Sequence, residues 1–319
     1  MHNLVKDLAF IIHSDLIYQG FDLSPYWLPN VSEELTKLEQ NHTTLLTHLQ
    51  QSKSHFWGCY FESLFSYAIQ HLSSLDIVFE HQQIIRDGKT LGEVDMLVQT
   101  PQGQLHQFEL AIKFYLQTVA SKSQDNTYRW LGPNKNDSFD KKYHRANEHQ
   151  LQMLATDAGQ ALLHKHACSS EVTSHLLMFG YLYQHIDKHL IAKLTTRSFL
   201  AKPYCDFSLV NSAAIQGYWC FIEDLSGFEQ CFIAAQELKK LEWLFPIPET
   251  VNTLYELEQQ SLLLDQDLAT DFKQLQHSLL NGFIDDDRPR HFLLSFWEQD
   301  QNRVKKIQQI RLFIVPSSW

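Results

Sequence analysis

The sequence predicts an α/β protein in which a helix, three strands, a second helix and a fourth strand follow one another. Two observations predict this order. Residues 56–72 carry apolar side chains at helical spacing, and three segments rich in alternating or β-branched residues follow, separated by short turns. We expect residues 51–185 to form this core, residues 1–50 a helical arm, and residues 186–319 a C-terminal α+β region of unknown role.

The first core helix is predicted from one apolar stripe. Phe56, Tyr60, Leu64 and Ala68 recur every four residues, which places them on one side of a helix. In the preceding arm, the spacing of residues 4–12 and the region after the proline-containing break also favour helices. The core helix therefore has a broad face to bury against a sheet.

The three strands are predicted by turn signals as much as by their own residues. Asp87-Gly88-Lys89 separates Val78–Arg86 from Leu91–Thr100, and Pro101-Gln102-Gly103 separates that strand from Leu105–Leu116. Both turns are short enough for hairpins, so the three strands should be antiparallel neighbours.

The remaining elements are predicted from weaker patterns. A polar helix around Phe139–Leu154 and a buried strand at Ser174–Tyr183 complete the core. The later candidates are strands at 215–222, 228–235 and 309–315 and a helical stretch at 250–280.

Composition limits the class of protein and its compartment. The chain has 319 residues, and 44% of them are hydrophobic, enough for a packed interior without disulfides. The five cysteines are scattered and never spaced as CxxC, which favours a reducing compartment. The N-terminus has no basic leader, and no apolar run reaches the roughly 20 residues that span a bilayer. We expect a cytoplasmic protein with no membrane partner.

Charge argues against broad, non-specific attraction to nucleic acid. The formal net charge is -11, whereas such attraction depends on Lys and Arg neutralising phosphates. One segment, residues 129–145, is locally basic. We expect it either to be a solvated loop or to contact phosphates through five side chains: Arg129, Lys135, Lys141, Lys142 and Arg145.

Chemistry is indicated by the polar faces of two neighbouring strands. In the second strand, Asp95 points away from its apolar neighbours, and in the third strand Glu109 and Lys113 lie opposite the apolar face. Adjacent strands would bring these three side chains to one surface. Carboxylates hold Mg²⁺ or Mn²⁺ through oxygen, and a lysine can steady a nucleophile or a phosphate.

We therefore expect Asp95 and Glu109 to be metal ligands and Lys113 to position the attacking water. Glu62, at the edge of the apolar face of the first core helix, is a further candidate ligand and catalytic residue, since a helix packed on the sheet could bring its carboxylate to the metal. The alternative is that these acids belong to the solvated faces of a strand and a helix.

These residues resemble a known superfamily. The helix bearing Glu62, the string Leu91-Gly92-Glu93-Val94-Asp95 and the string Glu109-Leu110-Ala111-Ile112-Lys113 are similar to the PD-(D/E)XK nucleases, whose restriction-endonuclease-like core has the order αβββαβ. With Trp130-Leu131-Gly132-Pro133-Asn134, the pattern also resembles an uncharacterised bacterial family, domain of unknown function eighteen fifty-three.

The resemblance implies a Mg²⁺-dependent nuclease acting on DNA or RNA, with a polar side chain, Gln150, facing the site from the second helix. The motif departs from the superfamily in one position. Ala111 stands two residues before Lys113, at the position where the superfamily has an acid. Glu109 stands four residues before Lys113, so the two residues lie about 13 Å apart along the strand.

This departure leaves two alternatives open. One is a degenerate nuclease fold that binds nucleic acid or a protein partner, including a second copy of the chain. The other is an enzyme acting on a small phosphorylated substrate.

Overall fold

The computed structural model describes residues 4–18, 20–51, 56–118, 130–195, 209–244, 269–299 and 305–319. These residues form a mixed α/β fold, as predicted, around one large sheet. The α-helices are α1 Leu4–His13, α2 Val31–Gln40, α3 Thr43–Gln50, α4 Trp57–Leu72, α5 Phe139–Glu148, α6 Asp157–Lys165, α7 Lys188–Thr195 and α8 Phe272–Asp285. The strands are β1 Asp76–Arg86, β2 Lys89–Gln99, β3 Leu105–Gln117, β4 Trp130–Leu131, β5 Val172–His185, β6 Ile215–Phe221, β7 Phe232–Glu237, β8 Arg290–Gln299 and β9 Lys305–Val315.

The nine strands belong to a single sheet. Its order is β1-β2-β3-β5-β6-β9-β8-β7, with the short β4 paired to the end of β3. β1, β2 and β3 are antiparallel, β3, β5, β6 and β9 are parallel, and β8 and β7 are again antiparallel. The predicted helix, three strands, helix, strand order is present in residues 57–185, with β4 and α6 as additional elements.

The turn between β1 and β2 forms for the reason that the sequence indicates. Asp87 and Gly88 adopt positive φ values of 51° and 73°, a conformation that suits glycine and is tolerated by aspartate. The two strands then pair from Asp76 with Gln99 to Arg86 with Lys89, with two shifts of register along the ladder.

The two faces of the sheet are covered by different helices. On one face, Phe108, Leu110 and Phe114 of β3 pack in the largest apolar cluster, which contains buried residues of α1 and α4. On the other face, Ala111 and Tyr115 of β3 pack with residues of α5. β3 is therefore buried on both sides, and its polar residues are enclosed between two layers.

The sheet continues from the predicted core into the C-terminal region. β5 pairs with β6, and β6 pairs with β9. A separate apolar cluster lies here, with buried residues from α7, α8, β6, β8 and β9. The two regions share one hydrogen-bonded sheet, and Trp219, Phe313 and Val315 of the C-terminal region also belong to the largest cluster.

Three differences from the sequence-based expectations concern element ends and one strand. The helix predicted to reach Leu154 ends at Glu148 and is followed by a 3-10 turn, Gln150–Ala155. β8 has no counterpart among the predicted elements. Of the stretch predicted to be helical at 250–280, residues 250–268 lie outside the described residues, and α8 begins at Phe272.

No helix in the described parts of the chain combines the length and apolarity that a membrane span requires.

Candidate functional site

The candidate site lies where two strands separate. β2 and β3 are long, but their ladder covers only the pairs from Met96 with Phe108 to Gln99 with Leu105. Beyond Phe108, β3 continues beside β5. Asp95 and Glu109 are the next positions outward in the register, so they face each other at the mouth of the opening between the strands.

The Asp95 side chain replaces a backbone acceptor beyond the end of the β2–β3 ladder. Its Oδ2 accepts a hydrogen bond from the backbone N–H of Leu110 at 2.8 Å. Its carboxyl group is close enough to that of Glu109, which is 2% exposed, for the charge of Asp95 to raise the pKa of Glu109.

Burial raises the pKa of both acids. Burial is the largest cause for Glu109, and the Asp95 charge adds to it, so its pKa rises to about 7. For Asp95, burial raises the pKa, while the Leu110 N–H and Lys142 act in the opposite direction. The positive charge nearby is therefore too small to keep Glu109 fully ionised near neutral pH.

Lys142 supplies the cation nearest to this pair. Its Nζ donates to Glu109 Oε1 at 2.7 Å and to Gln150 Oε1 at 3.3 Å, and its side chain is 15% exposed. Lys142 shares the inward face of α5 with Phe139 and Ala146, both buried, because residues three and seven apart lie on one side of a helix.

A chain of hydrogen bonds fixes the position of Gln150 and thereby that of Lys142. Ser174 Oγ on β5 donates to Gln107 Oε1 on β3 at 3.0 Å. The amide nitrogen of Gln107 donates to the Gln150 backbone oxygen, also at 3.0 Å. Since Gln107 is fully buried, these bonds anchor the 3-10 turn after α5 to the sheet.

Glu62 approaches the pair from the opposite helical layer. Its carboxylate lies 3.9 Å from Nδ1 of His81, which lies 3.5 Å from Glu93 Oε1. Burial raises the pKa of Glu62, and the charge of Asp95 raises it further. Glu62 is therefore close enough to interact with Asp95 electrostatically, with His81 on the neighbouring strand between two acids.

Lys113 lies away from this group. Its Nζ donates to Asp137 Oδ2 at 2.6 Å, and its side chain faces a separate cleft. The structure therefore brings together Asp95, Glu109 and, more loosely, Glu62, while the lysine beside them comes from α5 and not from β3.

The five basic residues expected to contact phosphates are dispersed. Lys142 is turned inward, whereas Lys141 and Arg145 are exposed on α5. Lys135 is exposed, and its Nζ lies 4.7 Å from the centroid of the Trp319 ring. Arg129 lies outside the described residues.

The position of Lys142 beside Glu109 was missed because its side chain was expected either in a solvated loop or at a phosphate of nucleic acid. The signal that could have found it is its spacing from Phe139 and Ala146. His81 was missed altogether, and it adopts a positive φ of 52°, which the sequence does not indicate.

The donor set fits a hard divalent cation with few protein ligands. Across the described residues, no group of three or more His, Cys, Asp or Glu side chains has the spacing of a metal site. Two acids, Asp95 and Glu109, are adjacent, and the raised pKa of Glu109 means that a cation would compete with a proton for this carboxyl group. Mg²⁺ is commonly held by one or two carboxylates, with water and substrate phosphates completing its shell.

The fold and site thus describe an α/β protein with two adjacent acids, Asp95 and the buried Glu109, beside a lysine. The chain belongs to the family described as Domain of unknown function (DUF1853), whose profile matches residues 6–315. The family match therefore covers the arm, the core and the C-terminal strands together. Comparison with curated proteins and with solved structures yields no match.

Proposed function

We propose that this protein is a Mg²⁺-dependent nuclease of the PD-(D/E)XK type, hydrolysing phosphodiester bonds in DNA or RNA. The observation that carries the proposal is the buried Asp95–Glu109 pair with Lys142 2.7 Å from Glu109. The helix and strand order around it, from α4 to β5, supports the proposal because it follows the αβββαβ order of that superfamily.

In this proposal, Asp95 and Glu109 hold Mg²⁺ or Mn²⁺, which when bound activates water and neutralises charge on the phosphate. Lys142 replaces Lys113 as the cation beside the reacting phosphate, since its Nζ lies at the carboxylates. Gln150 holds that amine through its side-chain oxygen at 3.3 Å. Glu62 assists from α4, where burial and the charge of Asp95 raise its pKa and favour its role in proton transfer.

The exposed residues of the basic segment would contact the backbone of the nucleic acid. Lys141 and Arg145 lie on the outer side of α5, one helical turn apart. Reversing their charge should weaken binding in a salt-dependent manner, because each phosphate contact releases counterions. Unchanged binding at low salt would remove these two residues from the proposed interface.

The test combines metal binding and hydrolysis. Calorimetric titration with Mn²⁺ should show a site in the unmodified protein and none in Asp95→Asn, with Glu93→Gln as the control because Glu93 is exposed on the same strand. Single- and double-stranded DNA and RNA should then be screened for Mn²⁺-dependent cleavage that Asp95→Asn abolishes. Mn²⁺ binding that survives in Asp95→Asn would refute the assignment of the metal ligands.

A second candidate function is a nucleic-acid or protein binding module without hydrolysis. It is favoured by Ala111, which is buried among apolar residues of the sheet and α5 and supplies no acid. Lys142 also already neutralises one carboxylate of the pair. This candidate predicts nucleic-acid affinity unaffected by EDTA and no cleavage with any divalent cation.

A further inference from the structure

A second cleft lies at the junction between the predicted core and the C-terminal strands. Its volume is about 630 Å³, and its wall is formed by the start of α4, the end of β3, residues 132–137, the segment after β7 and the segment before β8. Asp95, Glu109 and Lys142 are not among its lining residues. The proposed catalytic role leaves this cleft without a function.

The wall of the cleft is more basic than the chain as a whole. Four lining side chains are Lys or Arg and three are Asp or Glu, whereas the whole chain carries a formal charge of -11. Arg288 is fixed by Asp286, whose Oδ2 accepts from Nη2 at 2.6 Å, and Lys113 is fixed by Asp137. Lys240 is exposed and forms no ion pair within the described residues. Lys113 and Arg288 are thus held in the wall of the cleft, and their remaining N–H groups can donate to a phosphate.

Two indole rings line the same cleft. Trp243 is held edge-on against Phe114, with ring centroids 5.0 Å apart, and its Nε1 donates to the Leu238 backbone oxygen at 3.1 Å. Trp57, in the first turn of α4, has an Nε1 that donates to no acceptor in the described parts of the chain. The amide of Asn134 also lines the cleft. Rings, amides and cations together suit a nucleotide, with its flat base and its phosphate.

The cleft and the carboxylate pair are built on the same two elements. β3 carries Glu109 and, four residues further on, Lys113, which at about 3.3 Å per residue is roughly 13 Å away. α4 carries both Trp57 and Glu62. The two places are therefore separated by the length of a few nucleotides.

We infer that the cleft binds an unpaired nucleotide of a single-stranded nucleic acid, flanking the phosphodiester at Asp95 and Glu109. This inference rests on the proposed function and assigns it a substrate class. A base that stacks on an indole must be free of its pairing partner, so a duplex without an open end cannot occupy the cleft. Lys113, Lys240 and Arg288 bind the phosphate of the nucleotide.

The experiment measures binding of a fluorescein-labelled oligothymidylate to the full chain in EDTA, by fluorescence anisotropy over a series of salt concentrations. Lys240→Glu and Arg288→Glu should each weaken binding and reduce the slope of log affinity against log salt by about 0.7, the value for one phosphate contact on a single strand. Trp57→Leu should weaken binding about tenfold, and Trp57→Phe should retain most of it, because stacking is sequence-tolerant but needs a ring. Lys165→Glu, at an exposed position on α6, is the matched control and should leave both affinity and slope unchanged.

Blunt duplex should compete poorly with the oligothymidylate, and thymidine monophosphate should bind more weakly than the oligomer. Equal binding of the monophosphate would overturn the assignment to a strand, and affinity unaffected by Lys240→Glu and Arg288→Glu would overturn the cleft itself. The outcome is separable from that of the proposed function. Loss of Mn²⁺ binding in Asp95→Asn tests the carboxylate pair, whereas binding in EDTA tests the cleft alone.

Discussion

Lys142 Nζ lies 2.7 Å from Glu109 Oε1, so the cation of the candidate site comes from a helix and not from the strand that carries the acid. The lysine of that strand, Lys113, bonds Asp137 instead. In the proposed site, this arrangement accounts for the wide spacing between Glu109 and Lys113 on β3. The lysine beside Glu109 is Lys142 of α5, so no lysine two residues from Glu109 is required.

Metal affinity should depend on pH in a defined direction. The ordinary pKa of Glu109 is 4.5 and burial beside Asp95 raises it to about 7, so Mn²⁺ must displace a proton at any pH below 7. We expect the affinity to rise about tenfold per pH unit up to that pKa and then to level off. Calorimetry in buffers of different ionisation enthalpy would count the released proton. Affinity independent of pH below 7 would contradict this description of the pair.

Removing one charge of the pair should stabilise the metal-free protein. A folded-state pKa of about 7, above the ordinary 4.5, means that Glu109 costs stability as the pH rises through this window. Asp95→Asn keeps an acceptor for the Leu110 N–H and removes the repulsion. We expect a gain on the order of 1–2 kcal/mol in the free energy of unfolding above neutral pH, and little change at the low end of the window.

Urea unfolding at both ends of the pH window would measure this difference. Glu93→Gln is the control, since Glu93 is exposed and should change stability little. An Asp95→Asn protein that is less stable than the unmodified one at high pH would show that the pair is not repulsive in the fold.

Replacing the cation should have the opposite effect. Lys142→Met keeps the apolar stem and removes the ammonium, which leaves Glu109 and Asp95 without their nearest positive charge. We expect a loss of about 1–3 kcal/mol above pH 7, where Glu109 ionises, and a smaller loss when Glu109 is protonated. Lys141→Met, one residue away and exposed, should be close to neutral in thermal melts at either pH. Equal effects of the two variants would contradict the inward placement of Lys142.

A pair of histidines at the start of β3 and β5 should make the fold sensitive to acid. His106 Nδ1 and His175 Nε2 lie 3.1 Å apart, and the ring of Phe21 lies 4.5 Å from that of His175. Burial, with His106 beside it, lowers the pKa of His175 from 6.5 to about 4. The unfolded chain therefore binds its proton first as the pH falls, and stability should decrease from pH 6.5 towards pH 4.

His175→Phe should flatten this part of the stability curve, because it removes the titrating group and keeps a ring beside Phe21. Thermal melts in steps across the window would detect the change. A curve of the same steepness in both proteins would assign the acid sensitivity to other groups.

The sequence predicted the core well because its signals there are local. The turns at Asp87-Gly88 and Pro101-Gln102-Gly103 are determined by residues next to one another, and the hairpins follow from them. Asp95 and Glu109 were predicted to be neighbours for the same reason, since they are joined by a short connection. α4 could be predicted as well, because its apolar residues form a clear stripe at helical spacing.

What the sequence could not show depends on distant contacts. β3 pairs along its length with β5, whose residues lie more than sixty positions away, and no local signal shows that the β2 ladder ends at Phe108 while this pairing continues. The choice of Lys142 over Lys113 depends on how α5 docks on the sheet. β8 was not predicted, and its partners β7 and β9 are set by the whole sheet and not by a local turn.

The position of β9 has a consequence for how the protein is made. The last strand of the chain lies between β6 and β8, in the interior of the sheet. During synthesis, the edges of β6 and β8 remain open until residues 305–315 have left the ribosome, so the sheet cannot close from the N-terminus onwards. Such late, long-range pairing is slow and exposes strand edges to aggregation. Nascent chains of this protein should therefore depend on chaperones until β9 has emerged and paired.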